Sequence, residues 1–266
     1  MLLGDFTRVE SRALIESKRT LIGIVPVAAT EKHLHHLEMS TDCTEIEFVT
    51  RRAARRVFTL AIITPTVSVG VSEHHMQHMG SLTSRWEVFT EYVFDIVESL
   101  ARASLNKIVI INGHGGNIRP LFSVMDRFRE RLPHLGLRFF SYWDLLPEDF
   151  PLKVLDTQKA PGHAQEFETS AMKYIAPQKV RAELLESADA RKATRKKGKL
   201  LMDYAADALA DYLRSFAKGE GQILEPISWV SGEIRRGVES HPFVSRGTTL
   251  PKESHDAPSR PTENYD

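Results

Sequence analysis

Residues 107–117 read KIVIINGHGGN, a β-branched run that ends in a glycine-rich loop. The run over residues 107–112 has the length and composition of a buried strand. Residues 118–131, which follow the loop, are predicted to form a helix. A buried strand, a tight loop and a helix in succession are typical of a parallel sheet flanked by helices. This stretch therefore predicts an α/β fold.

The same alternation of strand and helix continues on both sides of this stretch. Further strands are predicted over residues 21–27, 59–69 and 137–143, with Pro65 at the edge or end of the second one. The clearest helix is predicted where apolar residues recur at steps of three and four, over residues 83–103. Other helices are predicted over residues 44–56, 167–175 and 200–216.

The composition restricts the class of protein. The 266 residues include 35 basic and 35 acidic side chains, and this zero net charge argues against a general nucleic-acid binder. The hydrophobic fraction of 42% is enough for a core, so global disorder is excluded. The single cysteine, Cys43, excludes a disulfide framework and is expected to be a small apolar residue at the start of a helix. Apolar runs are far shorter than the roughly 20 residues of a membrane span, and we expect a cytoplasmic protein without a membrane partner.

One domain over residues 1–244 accounts for the strands and helices. Residues 245–266 are polar and contain three prolines, so we expect a flexible tail there. The alternative is an arm that becomes ordered against a neighbouring subunit. Residues 191–199 carry six basic side chains, which we interpret as a solvated helix face.

Three polar segments, at residues 30–42, 113–117 and 162–170, follow predicted strands or enter a predicted helix. The first contains Glu31, His33 and Asp42, whose imidazole and carboxylate groups are ligands for zinc, manganese or iron. Glu31 and His33 are two residues apart, so both would point the same way in an extended segment. The two oxygens of Asp42 could bridge two ions. An isolated pair of this kind is usually a polar surface loop, but the other segments add another histidine and two glutamates.

The glycine-rich loop allows two interpretations. It could be a turn or a phosphate-binding nest before a helix. However, it lacks the glycine spacing of a dinucleotide-binding loop and the Gly-Lys-Ser/Thr of a P-loop. We favour a loop that brings backbone close to a ligand, presents His114, and is fixed by the side chains of Asn112 and Asn117.

Taken together, these segments resemble the creatininase family of metal-dependent amidohydrolases. The family's first motif, EQHGPHLPLGTD, corresponds to EKHLHHLEMSTD at residues 31–42, with identical spacing. Its NGHGGN motif is intact at residues 112–117, and its HAGExETS motif appears as HAQEFETS at residues 163–170. The resemblance extends over about residues 20–175. It implies a three-layer α/β/α fold with a mostly parallel central sheet.

The resemblance also implies two divalent metal ions per subunit, which could be zinc, manganese or iron. Glu31, Asp42 and His114 would hold one ion. His33 and Asp42 would hold the other, so that Asp42 bridges the two.

The remaining ligand and the proton-transfer group come from the third segment. Creatininases themselves have a glutamate at the position of Gly116, and we expect Glu166 to supply this missing carboxylate. Glu168 is the competing ligand, or a residue that orients one. His163 matches the position that the family uses for proton transfer, which suits an imidazole.

The implied activity is cleavage of a C–N bond in a small amide, cyclic amide or formamide through a metal-bound hydroxide. The sequence differs from the family motifs at Leu34, His35, Glu38 and Gln165, and it has Gly115–Gly116 in place of the Tyr-Glu pair of creatininases themselves. These differences argue against creatinine as the substrate and suggest a formamide hydrolase-like type. Alternatives are a hydrolase of a lactone or of a cyclic polyol (keto-inositol) C–C or C–O bond, and a family member that binds a ligand without catalysis.

The substrate pocket has four candidate residues: His36, His75, Asn117 and Trp143. His35, His74 and His78 either line a polar pocket or are solvated loop residues. The resemblance implies a small-molecule substrate and a homo-oligomer, typically a hexamer. Phe150 and Trp229 are candidate exposed apolar residues for such an assembly.

Overall fold

The computed structural model describes residues 1–17, 20–57, 61–157 and 161–224, together with two short strands near the end of the chain. The central sheet consists of four parallel strands in the order β2-β1-β3-β4. Their bounds are β1 Ile22–Val27, β2 Ala61–Ile63, β3 Lys107–Asn112 and β4 Gly136–Ser141. The prediction of a mostly parallel central sheet is confirmed.

Helices cover both faces of this sheet. They are α1 Arg8–Glu16, α2 Thr41–Arg56, α3 Trp86–Arg102, α4 Ile118–Arg131, α5 Phe150–Val154, α6 Glu166–Ile175, α7 Ala188–Arg191 and α8 Arg195–Lys218. Alternate strand residues enter two separate hydrophobic clusters, because successive side chains of a strand point to opposite faces. Val109 of β3 packs with residues of α2, α6 and α8, whereas its neighbour Ile110 packs with residues of α3 and α4. The three-layer α/β/α fold is therefore confirmed.

The boundaries of α2, β2 and β4 differ from the predicted ones at places that bear on the site, and α8 begins at Arg195, five residues before its predicted start. Helix α2 begins at Thr41 rather than at residue 44, so Asp42 lies on its first turn. Strand β2 ends at Ile63, shortly before Pro65, which has no N–H to pair, and residues 59 and 60 of the predicted strand lie outside the described residues. The chain returns to β1 only where the Val67 amide donates to the Pro26 carbonyl at 3.0 Å. Strand β4 ends at Ser141, where a 3-10 turn begins that contains Trp143.

Close contact between α6 and α8 fixes the helix that carries the third polar segment. A Cβ atom at Gly198 would lie 1.8 Å from the carbonyl oxygen of Ser170, so only glycine permits this approach. The Thr194 amide at the start of α8 also donates to the Ser170 hydroxyl, at 3.1 Å. The position of α6 at the edge of the sheet therefore depends on α8.

The end of the chain is described only in part. Strands β5 Ile227–Val230 and β6 Glu233–Arg236 form an antiparallel pair outside the main sheet. The predicted tail at residues 245–266 and the side chain of Trp229 lie outside the described residues. No helix in the described part of the chain is both long and apolar enough to span a membrane.

Candidate metal site and active site

The loops that follow β1 and β3, together with the loop before α6, bring the polar segments together. The segment with Glu31 follows β1, the segment with His114 follows β3, and His163 lies on the loop before α6. The carboxyl ends of parallel strands meet at one edge of a sheet, where ligands of α/β proteins bind. These loops and Trp143 line a cavity of about 320 Å³, including its open mouth.

Asp42 lies at the centre of this edge and is buried. Its Oδ1 lies 2.9 Å from Nε2 of His33, and its Oδ2 lies 3.0 Å from Nδ1 of His114. One carboxylate therefore faces two histidines that come from different loops.

Glu31 is buried beside the same histidines. Its Oε1 lies 3.3 Å from Nδ1 of His114, 3.6 Å from Nε2 of His75 and 3.7 Å from Nδ1 of His163. Its Oε2 is buried and has no hydrogen-bond partner among the described residues. A buried carboxylate oxygen without a partner is costly unless a cation or donor compensates it.

The outer ring nitrogens of His33 and His114 are already engaged. Nδ1 of His33 donates to the Glu31 carbonyl at 3.0 Å, and Nε2 of His114 lies 3.0 Å from the Val71 carbonyl and 3.2 Å from the Ser72 hydroxyl. Such contacts to carbonyl oxygens hold a proton on the outer nitrogen and leave the inner nitrogen free to bind a metal. The donor set, with its inward-facing imidazoles and carboxylates, fits divalent zinc, manganese or iron.

The charges of these groups are strongly coupled. Burial alone would lower the pKa of His33, but the carboxylates of Asp42, Glu168 and Glu31 raise it to about 10. Burial likewise opposes protonation of His114, yet Glu31 and Asp42 hold its pKa well above the usual value. Protons on the two imidazoles thus compensate the buried carboxylates in the metal-free protein, and a divalent ion would displace them.

The two glutamates of the third segment have different surroundings. Glu166 is buried in an ion pair with Lys197, and its oxygens accept hydrogen bonds from the backbone amides of Asp156 and Thr157 at 3.1 and 2.7 Å. By contrast, Oε2 of Glu168 lies 3.9 Å from Nε2 of His33. Glu168 forms a group of possible ligands with His33 and Asp42, whereas Glu166 belongs to no such group among the described residues.

His163 lies against the cluster rather than at its centre. Its ring centroid is 4.7 Å from that of His33 and 4.4 Å from that of His75. Burial and the neighbouring charge of His33 hold the pKa of His163 well below its usual value, so its imidazole is neutral. Its position allows either proton transfer or ligation, since it also forms a possible ligand group with Glu31 and His33.

The candidate pocket residues divide into two kinds. Trp143 lines the cavity, and its indole N–H is buried without a hydrogen-bond partner among the described residues. His75 contacts Glu31 within the histidine cluster. His36 bonds instead to the Thr169 hydroxyl at 2.9 Å, and the Asn117 amide is held by backbone groups of Val71 and Ala28. These last two side chains fix loops and do not line the cavity.

Sequence reasoning left one feature open and missed another. His74, which the sequence allowed either in a polar pocket or as a solvated loop residue, lines the cavity and forms a possible ligand group with Glu31 and His114. Glu45 is fully buried one helical turn after Asp42 and accepts a hydrogen bond of 2.6 Å from the Tyr142 hydroxyl. The spacing of Asp42 and Glu45 could have indicated a shared helix face, had the start of α2 been placed correctly.

Comparisons with known proteins identify relatives of this chain. The sequence profile of the creatininase family, described as creatinine amidohydrolase, matches residues 5–191. Creatinine amidohydrolase of Pseudomonas putida is 24% identical over 253 residues, which cover 80% of this chain and 96% of that protein. The mycofactocin precursor peptide peptidase of Mycolicibacterium smegmatis is 28% identical over 168 residues, or 59% of each protein.

The fold is shared with solved creatininases. A crystal structure of creatinine amidohydrolase superimposes with a TM-score of 0.73 at 23% identity, and the match covers 83% of this chain and 98% of that one. Two further creatininase structures are described as a Zn–Zn type and as a Mn form.

Proposed function

Because the chain belongs to the creatininase family, we propose that it is a dinuclear metal-dependent hydrolase that cleaves the C–N bond of a small amide, cyclic amide or formamide. The position of Asp42 carries this proposal. Its two oxygens face His33 and His114 separately, at 2.9 and 3.0 Å, as expected of a carboxylate shared by two ions.

The proposed ligands divide between the two sides of Asp42. Glu31 and His114 would hold one ion with it, and His33 and Glu168 the other. Glu168 replaces the expected Glu166, because Glu166 is already neutralised by Lys197. Zinc and manganese are the preferred metals, since they are named for related structures. When bound, such ions would supply Lewis acidity, which polarises a carbonyl group and lowers the pKa of water.

His163 is the proposed proton-transfer residue. It lines the cavity and contacts Glu31, while α6 begins three residues later and fixes its loop. Ala164 beside it has a left-handed backbone with φ of 51°, which is a strained conformation for a residue other than glycine. We assign to the His163 imidazole the removal of a proton from water and its delivery to the departing nitrogen.

We propose a small substrate other than creatinine. The indole N–H of Trp143 would donate to an acceptor atom of the substrate. Several differences from the family motif lie away from the cavity: Glu38 pairs with Arg181, and Gln165 bonds to Ser187. Gly115 is the difference that lines the cavity directly, and it presents no side chain there.

We also propose that the chain forms a homo-oligomer, with a hexamer as the expected state. Phe150 is not the exposed apolar residue expected from the sequence, because it packs against the core with its ring 4.7 Å from that of Tyr204. Val88, Tyr92 and Phe122 of α3 and α4 are exposed instead. Light scattering at micromolar concentration should show an assembly, and a monomer would contradict it.

The activity is tested with protein that is stripped of metal and then reloaded with Zn²⁺ or Mn²⁺. We expect hydrolysis of at least one compound in a panel of formamides, cyclic amides and linear amides, and only after reloading. Asp42→Asn should abolish both metal retention and activity. Hydrolysis of lactones alone would show that the protein cleaves C–O bonds and would contradict the proposed C–N cleavage. Activity that persists in metal-free protein would contradict the proposed metal dependence.

A further inference from the structure

His74 stands at the wall of the cavity in a position that no proposed role uses. Its ring lies parallel to that of His114, with 7° between the planes and 5.8 Å between the centroids. One of its nitrogens lies within 4.8 Å of ligand atoms of both Glu31 and His114. It therefore adds a third donor on the side of Asp42 that these two residues occupy.

The loop that carries His74 is built onto His114 itself. Val71 and Ser72 both contact Nε2 of His114, and a 3-10 turn over Glu73–His75 follows directly. The Val71 amide donates to the Asn117 side chain at 2.9 Å. Because the loop and His114 are tied together, the two imidazoles keep a fixed spacing.

Gly116 makes room for this arrangement. A Cβ atom there would lie 2.0 Å from the Val71 carbonyl oxygen, 2.5 Å from Nε2 of His114 and 3.1 Å from Cε1 of His74. The carbonyl is backbone and cannot rotate away, so any side chain at this position would displace the loop. The position of His74 beside His114 therefore requires glycine at residue 116.

We propose that His74 is a metal ligand that acts together with Glu31, Asp42 and His114. This inference rests on the proposed metal site, and it gives the two ions different numbers of protein ligands. Four protein donors would enclose the ion beside His114, whereas His33, Asp42 and Glu168 supply three to the other. Closed four-ligand sites are typical of tightly held ions, and three-ligand sites keep a position for water or substrate.

The test is a chelator titration of zinc-loaded protein, with residual metal per chain measured by mass spectrometry. Wild type should lose its ions in two separate steps. In His74→Ala the affinity for the more tightly held ion should fall by about 100-fold or more. Even the loss of a residue that only supports a ligand typically lowers metal affinity 10- to 100-fold. His78→Ala is the matched control, because His78 is exposed on the same loop and belongs to no ligand group of the described residues.

A second variant tests whether the position of the loop that carries His74 matters for metal binding. Gly116→Ala should push the loop outward and weaken the tighter step as His74→Ala does. Far-ultraviolet circular dichroism checks that both variants remain folded. Two ions in wild type with an unchanged titration in His74→Ala would overturn the inference alone. A wild type that retains no metal would overturn the proposed function as well.

Discussion

Glu166 and Glu168 are only two residues apart, yet their replacement by glutamine should have opposite consequences. Glu166 is fully buried, and Lys197, its partner, has a side chain that is 17% exposed. Removing one member of a buried ion pair costs about 3–5 kcal/mol. In Glu166→Gln the Lys197 ammonium group would still pair with Asp156, whose Oδ2 lies 2.9 Å away. We therefore expect a loss of stability at the lower end of that range, about 3 kcal/mol. For a chain of this size that corresponds to a Tm decrease of roughly 6–12 °C.

Glu168→Gln should leave the metal-free protein equally stable or make it more stable. Burial and the nearby charge of Asp42 raise the pKa of Glu168 from 4.5 to about 8, although His33 opposes the shift. The folded state thus binds this proton more tightly than the unfolded state, and the wild type loses stability as the pH rises through that interval. The advantage of Glu168→Gln in Tm should therefore grow between pH 5 and pH 8.

The two variants are compared by thermal melting in chelator and by metal content after reloading. Glu166→Gln should melt at a lower temperature than wild type and bind two ions, and Glu168→Gln should melt at the wild-type temperature or above and bind one. The reverse metal contents would show that Glu166 is the ligand. An unchanged Tm for Glu166→Gln would refute the structural role of its ion pair with Lys197.

Three further predictions concern catalysis, packing and the thiol. His163→Ala should keep both ions but lose about 10²- to 10⁴-fold in turnover, and loss of metal would make His163 a ligand. Gly198→Ala should destabilise the chain by about 1–3 kcal/mol or more in urea unfolding, because its Cβ meets the Ser170 carbonyl, whereas Gly4→Ala has open space and should be neutral. Burial raises the pKa of Cys43 to about 12, so Ellman's reagent should label it only after unfolding, and rapid labelling of native protein would contradict this.

The sheet could be predicted from sequence because its strands are short and mostly buried, and because β1 and β3 are rich in β-branched residues. The bounds of β3 and α4 agree with the prediction, since a glycine-rich loop separates them clearly. The start of α2 could not be placed, because polar residues such as Asp42 occur in first turns of helices as readily as in loops. The end of β2 could not be placed, because it depends on where the chain leaves and rejoins β1 around Pro65 in the folded structure.

Most of the site residues that could be predicted lie in the three sequence motifs. Spacing alone does not distinguish Glu166 from Glu168, because the difference arises from Lys197 on α8, which lies 31 residues further along the chain. Lys197 belongs to the basic run that suggested a solvated face, yet its ammonium group contacts the buried carboxylate. For His74 the sequence could not decide between a pocket residue and a solvated loop residue, because its position depends on the close approach of its loop to Gly116.

The central claim is that Asp42 is shared by two metal ions. Anomalous diffraction from crystals of zinc-loaded protein, recorded on both sides of the zinc absorption edge, tests it most directly. We predict two peaks per chain, one between Asp42 and His114 and one between Asp42 and His33. A single peak, or peaks away from Asp42, would contradict the account.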